Sequence, residues 1–179
     1  SLTKVSHFCW LPTVLQWGTE GSGDGEFYMP GGVAVDGSGN VYVSDFGSDS
    51  IHKFSSSGRF LAKWGTSPSG DELFNMPEDG LFNMPEGVAV DGSGNVYVAE
   101  GNHRIQKFSS SGRFLAKWGT YGSGDGQFIE PQGVAVDGSG NLYVSDIFKN
   151  RIQKFAATTS RRIHRIRRTP ECTPAHNHS

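Results

Sequence analysis

Three near-copies of one block, GVAVDGSGNVYV, recur along this chain with their leading valines at Val33, Val88 and Val134. A unit repeated in this way cannot bury its own apolar face, so the copies must stack on one another around a shared core. Val88 and Val134 are 46 residues apart, whereas Val33 and Val88 are 55 apart. The longer interval has a visible cause. LFNMPEDG (Leu73 to Gly80) is followed at once by LFNMPEGV (Leu81 to Val88), a doubling of eight residues, and without it the first period is 47.

Each period divides into four short runs separated by turn chemistry, and each run has the length and residue types of a strand. In the second repeat the expected strands a to d are Val88 to Asp91, Val96 to Ala99, Arg104 to Phe108 and Phe114 to Trp118. GSGN (Gly92 to Asn95) joins the first pair and SSSG (Ser109 to Gly112) the last, placing Gly and Asn where tight hairpins need positive φ. In strand d, Phe114, Ala116 and Trp118 share one face while Leu115 lies on the other. Both faces are partly apolar, as expected of sheets held between two neighbours. Four strands at this period predict an all-β chain of β-propeller blades rather than a helical solenoid. No segment carries a long helical pattern or an apolar run fit to span a membrane.

Pro85 to Asp91, Val96 to Glu100, Asn102 to Phe108 and Phe114 to Gly119 resemble the units of NHL-repeat propellers. Those units run as a Pro-x-Gly-Val-Ala-Val-Asp strand, a Val-Tyr-Val-Ala-Asp strand, an Asn-His-Arg-Ile-Gln-Lys-Phe strand and a strand ending in an aromatic. The Asn-His pair survives only as Asn102 and His103. Ser48 and Asp49 stand there in the first repeat, Lys149 and Asn150 in the third. The resemblance covers about residues 14 to 155. It implies antiparallel four-stranded blades, and relatives that act as substrate-recruiting ends of ubiquitin ligases, sensor domains of bacterial kinases or RNA binders.

Closed propellers need four to eight blades, and the family typically closes with six, whereas this chain has three repeats. The expected organisation is a lead segment (1–13), about three blades that make half a six-bladed ring (14–155) and a basic, disordered tail (156–179). VLQW (Val14 to Trp17) matches the LAKW of strand d, while the third repeat stops after strand c at Phe155. The N-terminal strand is therefore expected to complete the last blade. An open arc would expose two apolar faces, each a few hundred Å², worth on the order of 10 kcal/mol at roughly 25 cal/mol per Å². A homodimer closing a six-bladed ring is one way to cover them. A piece of a longer propeller is the other.

The formal charge of −2 conceals an asymmetry. Arg161, Arg162, Arg165, Arg167 and Arg168 fall in one run, and without them and Glu171 the rest holds 11 basic and 17 acidic residues, a net of −6. Such a tail is either a disordered end or a contact for nucleic acid, anionic lipid or an acidic protein face. Cys9 and Cys172 both lie outside the repeats and imply neither a disulfide framework nor a thiolate metal site. Asn177-His178-Ser179 is a formal glycosylation sequon. The residues leave the compartment open.

No catalytic, metal or cofactor site is expected. The DGSGN segments (Asp36, Asp91 and Asp137 onward) alternate oxygen-bearing residues with Gly, yet lack the carboxylate run and closing bidentate Glu of a calcium loop. GSGDG (Gly21 to Gly25, Gly122 to Gly126) has no Lys-Ser/Thr after it and reads as a d-to-a crossover. His52 and His103 have no second His nearby and read as surface or packing residues. The aromatics Trp17, Trp64 and Trp118, with Phe54, Phe108 and Phe155, read as packing between blades.

Function is then argued from the faces of the ring. The a-b and c-d turns share one face and hardly vary; the b-c and d-a loops share the other and differ from unit to unit. Turns that only close hairpins can stay identical, whereas a recognition surface must vary around the ring. A partner protein is expected on the b-c and d-a face, through Phe46, Asp49, His103, Arg104, Phe148, Lys149 and Arg151. The reading is a non-catalytic recognition or scaffold module. Two alternatives stand beside it: a segment of a six-bladed hydrolase or lyase with a metal in the channel, and an RNA-binding domain, for which an acidic body is the wrong charge.

Overall fold

The computed structural model describes residues 15–65 and 82–157. The first copy of the doubled eight-residue segment (Leu73 to Gly80), both cysteines, the sequon, the arginine run and Val14 lie outside the described residues.

Among the described residues eleven strands are arranged in three antiparallel sheets. The first holds β1 (Pro30–Val35), β2 (Val41–Asp45), β3 (Ser50–Phe54) and β4 (Phe60–Trp64) in sequential order. The second repeats this with β5 (Pro85–Val90), β6 (Val96–Glu100), β7 (Arg104–Phe108) and β8 (Phe114–Trp118). The third has β9 (Pro131–Val136), β10 (Leu142–Asp146) and β11 (Arg151–Phe155). Strand a begins at its proline, three residues before the expected valine, because Pro30 and Pro85 pair with Asp45 and Glu100 across an irregular step in the ladder.

The a-b hairpins close as the GSGN chemistry requires. Asp91 N donates to Asn95 O at 2.9 Å and Gly94, at φ +81°, donates back to Asp91 O at 2.9 Å. The Asp91 carboxylate also accepts from Ser93 N, Asn95 N, Asn95 Nδ2 and the Tyr97 hydroxyl. Asp36 and Asp137 hold the same bonds in their own repeats. These aspartates are turn-formers, and the structure bears out the hairpin reading of DGSGN.

The sheets stack face to face. Tyr42 and Ile51 of the first pack with Ala34 and Trp64 against Phe82, Val88, Val96, Val98 and Phe108 of the second. Tyr97, Ala99, Ile105 and Trp118 meet Phe128, Leu142, Val144 and Phe155 of the third in the same way. Each blade thus has a leading face, carried by the valines of strand a and the phenylalanine of strand c, and a trailing face, carried by the tyrosine of strand b and the isoleucine of strand c. Strands a lie innermost, where the blades converge: a Cβ on Gly32 would sit 2.5 Å from Glu86 O and 3.0 Å from Val88 N. Glycine is required there because the neighbouring backbone fills the space a side chain would need.

The N-terminal segment departs from expectation. Leu15 to Thr19 forms no strand, and the third sheet keeps three strands. Trp17 packs instead on the first blade, 5.9 Å from the Phe54 ring and over Gly58. The reason is connectivity: residue 17 runs directly into the crossover to β1, while the free edge of β11 lies at the other end of the stack.

Candidate functional site

Each blade hangs its b-c and d-a loops on one buried acid at the end of strand b. Asp45 accepts from Tyr28 N at 3.1 Å and Met29 N at 2.7 Å. Glu100 accepts from Asn83 N at 3.1 Å, and Asp146 from Glu130 N at 3.0 Å and Ile129 N at 3.2 Å. Buried acceptors of this kind fix the loop that delivers the chain into strand a. Burial pushes the Asp45 carboxyl up, but bonds from Ser48 and the Met29 and Tyr28 amides outweigh it and hold its pKa below the usual range. Glu100 is driven the other way: burial raises it despite its ion pair with Arg104 and its bond from Gln106.

Of the residues singled out from the sequence, all on this face, several are committed to the blades. Asp49 Oδ1 accepts from Met84 N of the next blade at 2.7 Å, and His103 Nδ1 donates to Ile129 O at 2.6 Å. Asp49, His103 and Asn150 all hold a left-handed backbone, at φ 49°, 59° and 49°, which turns the chain into strand c. Arg104 is buried on Glu100. Arg151 bonds Ser123 O at 2.7 Å and Gln127 O at 2.6 Å and pairs with Asp146, so it shapes its own d-a loop. Phe148 is 64% exposed, Lys149 ends the single helical turn after β10, and Phe46 lines a hollow at the inner ends of the blades.

That hollow, of about 540 Å³, lies between Met29, Pro30, Phe46, Pro85, Glu86 and Gln132. On the b-c and d-a loops Tyr28, Met29, Met84, Tyr121, Ile147 and Phe148 are each at least 38% exposed, and Met29 among them lines the hollow. Sequence reasoning missed the d-a members Tyr28, Met29, Met84 and Tyr121, and the three acids, although the acid closes the same Y-V-x-D/E strand in every repeat. His52 takes the place that Gln106 and Gln153 hold in the other blades. It is fully buried, its Nε2 lies 3.0 Å from Ser50 Oγ, and burial, aided by the Lys63 charge, lowers its pKa to about 4.

A channel metal, as in propeller hydrolases, does not fit these residues. Among the described residues no three His, Cys, Asp or Glu side chains are grouped to hold an ion. The acids that follow strands a, Asp36, Asp91 and Asp137, are taken by their turns. No helix among the described residues is long and apolar enough to cross a membrane.

Compared with known proteins, residues 27–54, 82–108 and 128–155 each match the NHL repeat. A probable peptidyl-alpha-hydroxyglycine alpha-amidating lyase of Caenorhabditis elegans is 33% identical over 97 residues, which are 53% of this chain and 27% of that protein. Peptidyl-glycine alpha-amidating monooxygenase of Mus musculus is 34% identical over 111 residues, 59% of this chain and 11% of that protein. The chain thus spans about a quarter or less of these relatives' length. Among solved structures, catalytically inactive virginiamycin B lyase of Staphylococcus aureus superposes with a TM-score of 0.50 at 14% identity, over 79% of this chain and 44% of that one, a likeness of fold alone. With its repeats matched one by one and its sheets stacked face to face, the chain carries three NHL repeats folded as consecutive β-propeller blades.

Proposed function

We propose that the chain is a protein-recognition module whose b-c and d-a loop face takes up a partner protein around the hollow at the inner strand ends. The observation that carries this reading is the segregation of the exposed apolar side chains that stand on connections between described strands rather than on the strands. Tyr28, Met29, Met84, Tyr121, Ile147 and Phe148 all lie on that face, while the opposite face carries the Gly, Ser, Asn and Asp of the hairpin turns. Rigid aromatics rimmed by fixed polar groups are what protein interfaces use for anchoring. Phe46, Phe148 and Lys149 are the contact residues of this reading; Asp49, His103, Arg104 and Arg151 support it by holding the loops in place. The test is quantitative capture of partners by wild type and by Phe148→Ala, with thermal stability measured beside it. Selective loss of captured proteins at unchanged stability supports the reading, and identical capture refutes it.

A second reading, that the blades form part of a lyase ring, is favoured by the similarity to amidating lyases. Metal analysis together with turnover of a peptidyl-α-hydroxyglycine separates the two. A stoichiometric divalent ion with turnover would favour the lyase, drawing its ligands from outside the described residues. Absence of both leaves the recognition module.

A further inference from the structure

The two ends of the blade stack match each other. On the leading face of the first blade Val33 and Val35 are 62% and 59% exposed, whereas in the second Val88, the counterpart of Val33, is 7% exposed against the blade before it and Val90, the counterpart of Val35, is half-buried. On the trailing face of the third blade Ile152 is 65% exposed, whereas Ile51 and Ile105 are fully buried against the blade after them. The polar fittings of the trailing face recur too. Ser44 takes the Gly32 amide at 2.8 Å and donates to Glu86 O of the next blade at 2.5 Å; Ser145 takes the Gly133 amide at 2.7 Å and still faces solvent. Lys53 reaches Ser110 O of the next blade at 2.9 Å, and Lys154 occupies the same place in β11. Gly133 repeats the glycine that makes room for the next inner strand, yet a Cβ there would meet only the Ser145 side chain.

The strand ladder is equally incomplete. Among the described residues no strand pairs the outer edge of β11, where β3 and β7 each carry a fourth strand. At the other end Trp17 stands over Gly58 and beside Phe54 as Trp64, the last residue of β4, stands over Gly112 and 6.2 Å from Phe108 of the following blade. Trp17 therefore already holds, on the first blade, the position that an outer-strand tryptophan of a preceding blade takes.

We infer that the occupant of both ends is a second copy of this chain: the trailing face of blade three docks on the leading face of blade one of the other copy, residues 15–17 of that copy add as the fourth strand to β11, and the exchange is made twice. By the registers Ile51↔Trp64, His52↔Lys63 and Lys53↔Ala62, the added strand pairs Ile152 with Trp17, Gln153 with Gln16 and Lys154 with Leu15 of the second copy. Ser145 then donates to Gly31 O, as Ser44 does to Glu86 O. Strand addition satisfies an exposed edge and apolar faces at once, and two such head-to-tail contacts close by twofold symmetry. The hollow on the recognition face, bounded here by three blades, is completed by the other three, although this inference does not depend on what binds there.

The test is the molar mass of the full 179-residue chain by size-exclusion chromatography with light scattering. The expected species is folded, near twice the 19.4 kDa chain mass. Ile152→Asp, at a position exposed in the single chain, should give a folded species of single-chain mass. Gly133→Ala should do the same, since the added methyl meets only a rotatable hydroxyl until an inner strand docks. Each should weaken pairing at least 100-fold, with circular dichroism unchanged. A folded wild-type monomer at tens of micromolar, a species of another mass, or pairing that survives both substitutions overturns the inference. Because none of these readouts involves a partner protein, failure here leaves the recognition reading standing, and failure of that reading leaves this one.

Discussion

Gly32→Ala tests whether the inner strands set the distance between blades. The methyl group would lie 2.5 Å from Glu86 O, 3.0 Å from Val88 N and 3.1 Å from Ser44 Oγ, two of the three being backbone atoms of the next blade. An ordinary contact needs about 3.4 Å, so the first two blades must part by roughly 1 Å, a gap that forfeits a quarter to a half of the dispersion energy across it. The contacts at stake are those of Tyr42, Ile51, Val88, Val98 and Phe108. Overpacking of this kind costs about 1–3 kcal/mol, offset by the several tenths that alanine contributes through a stiffer unfolded chain. The expected net loss is about 2 kcal/mol, or roughly 6 °C in Tm for a domain of this size. Gly37→Ala in the same blade is the control, since nothing lies within 4 Å of its added methyl, and it should be neutral or slightly stabilising. Urea unfolding followed by tryptophan fluorescence measures both. Equal stability of Gly32→Ala and Gly37→Ala would refute the argument that the inner strands touch.

Three further outcomes follow from the bonding pattern. His52 is held neutral by burial, with a folded pKa of about 4 against 6.5, so the unfolded chain binds its proton first; stability present above pH 6.5 should fall as pH drops towards 4, and His52→Gln, the residue of the other two blades, should flatten that slope in denaturation at stepped pH. Asp91→Ala removes four hydrogen bonds to one carboxylate and should cost about 2–4 kcal/mol; because those bonds hold Asp91 below its usual pKa against burial, as they do Asp36, acid should weaken the hairpins only below about pH 4, which urea midpoints between pH 5 and 2 would reveal. Arg151→Ala should destabilise the chain by about 1–3 kcal/mol by freeing its d-a loop, whereas Phe148→Ala, at an exposed side chain, should stay within about 0.5 kcal/mol of wild type in the same melts.

The strands and hairpins were legible in the sequence because their causes act within about ten residues. Alternating valines, paired glycines and the Asp that caps each turn state a ladder and its closure locally, and the 46-residue spacing states that the ladders stack. The candidate face was legible as well, through the variation of SDFGSDS, AEGNHR and SDIFKNR, but the roles of its residues were not. Asp49 and Met84 are 35 residues apart and Ser44 and Glu86 are 42 apart; no local pattern says that such pairs meet, so a blade clasp and a recognition residue look alike in the chain. Only the stacked structure separated Phe148, which faces solvent, from Arg151, which holds a loop. It also placed Trp17 on the first blade rather than the third and showed that Gly32 is demanded by a neighbouring backbone. By itself the sequence determined the blade, since hydrogen bonding and burial along a hairpin are local; the tertiary structure decided which surfaces are joints and which are open, since that depends on backbones brought together across one whole repeat.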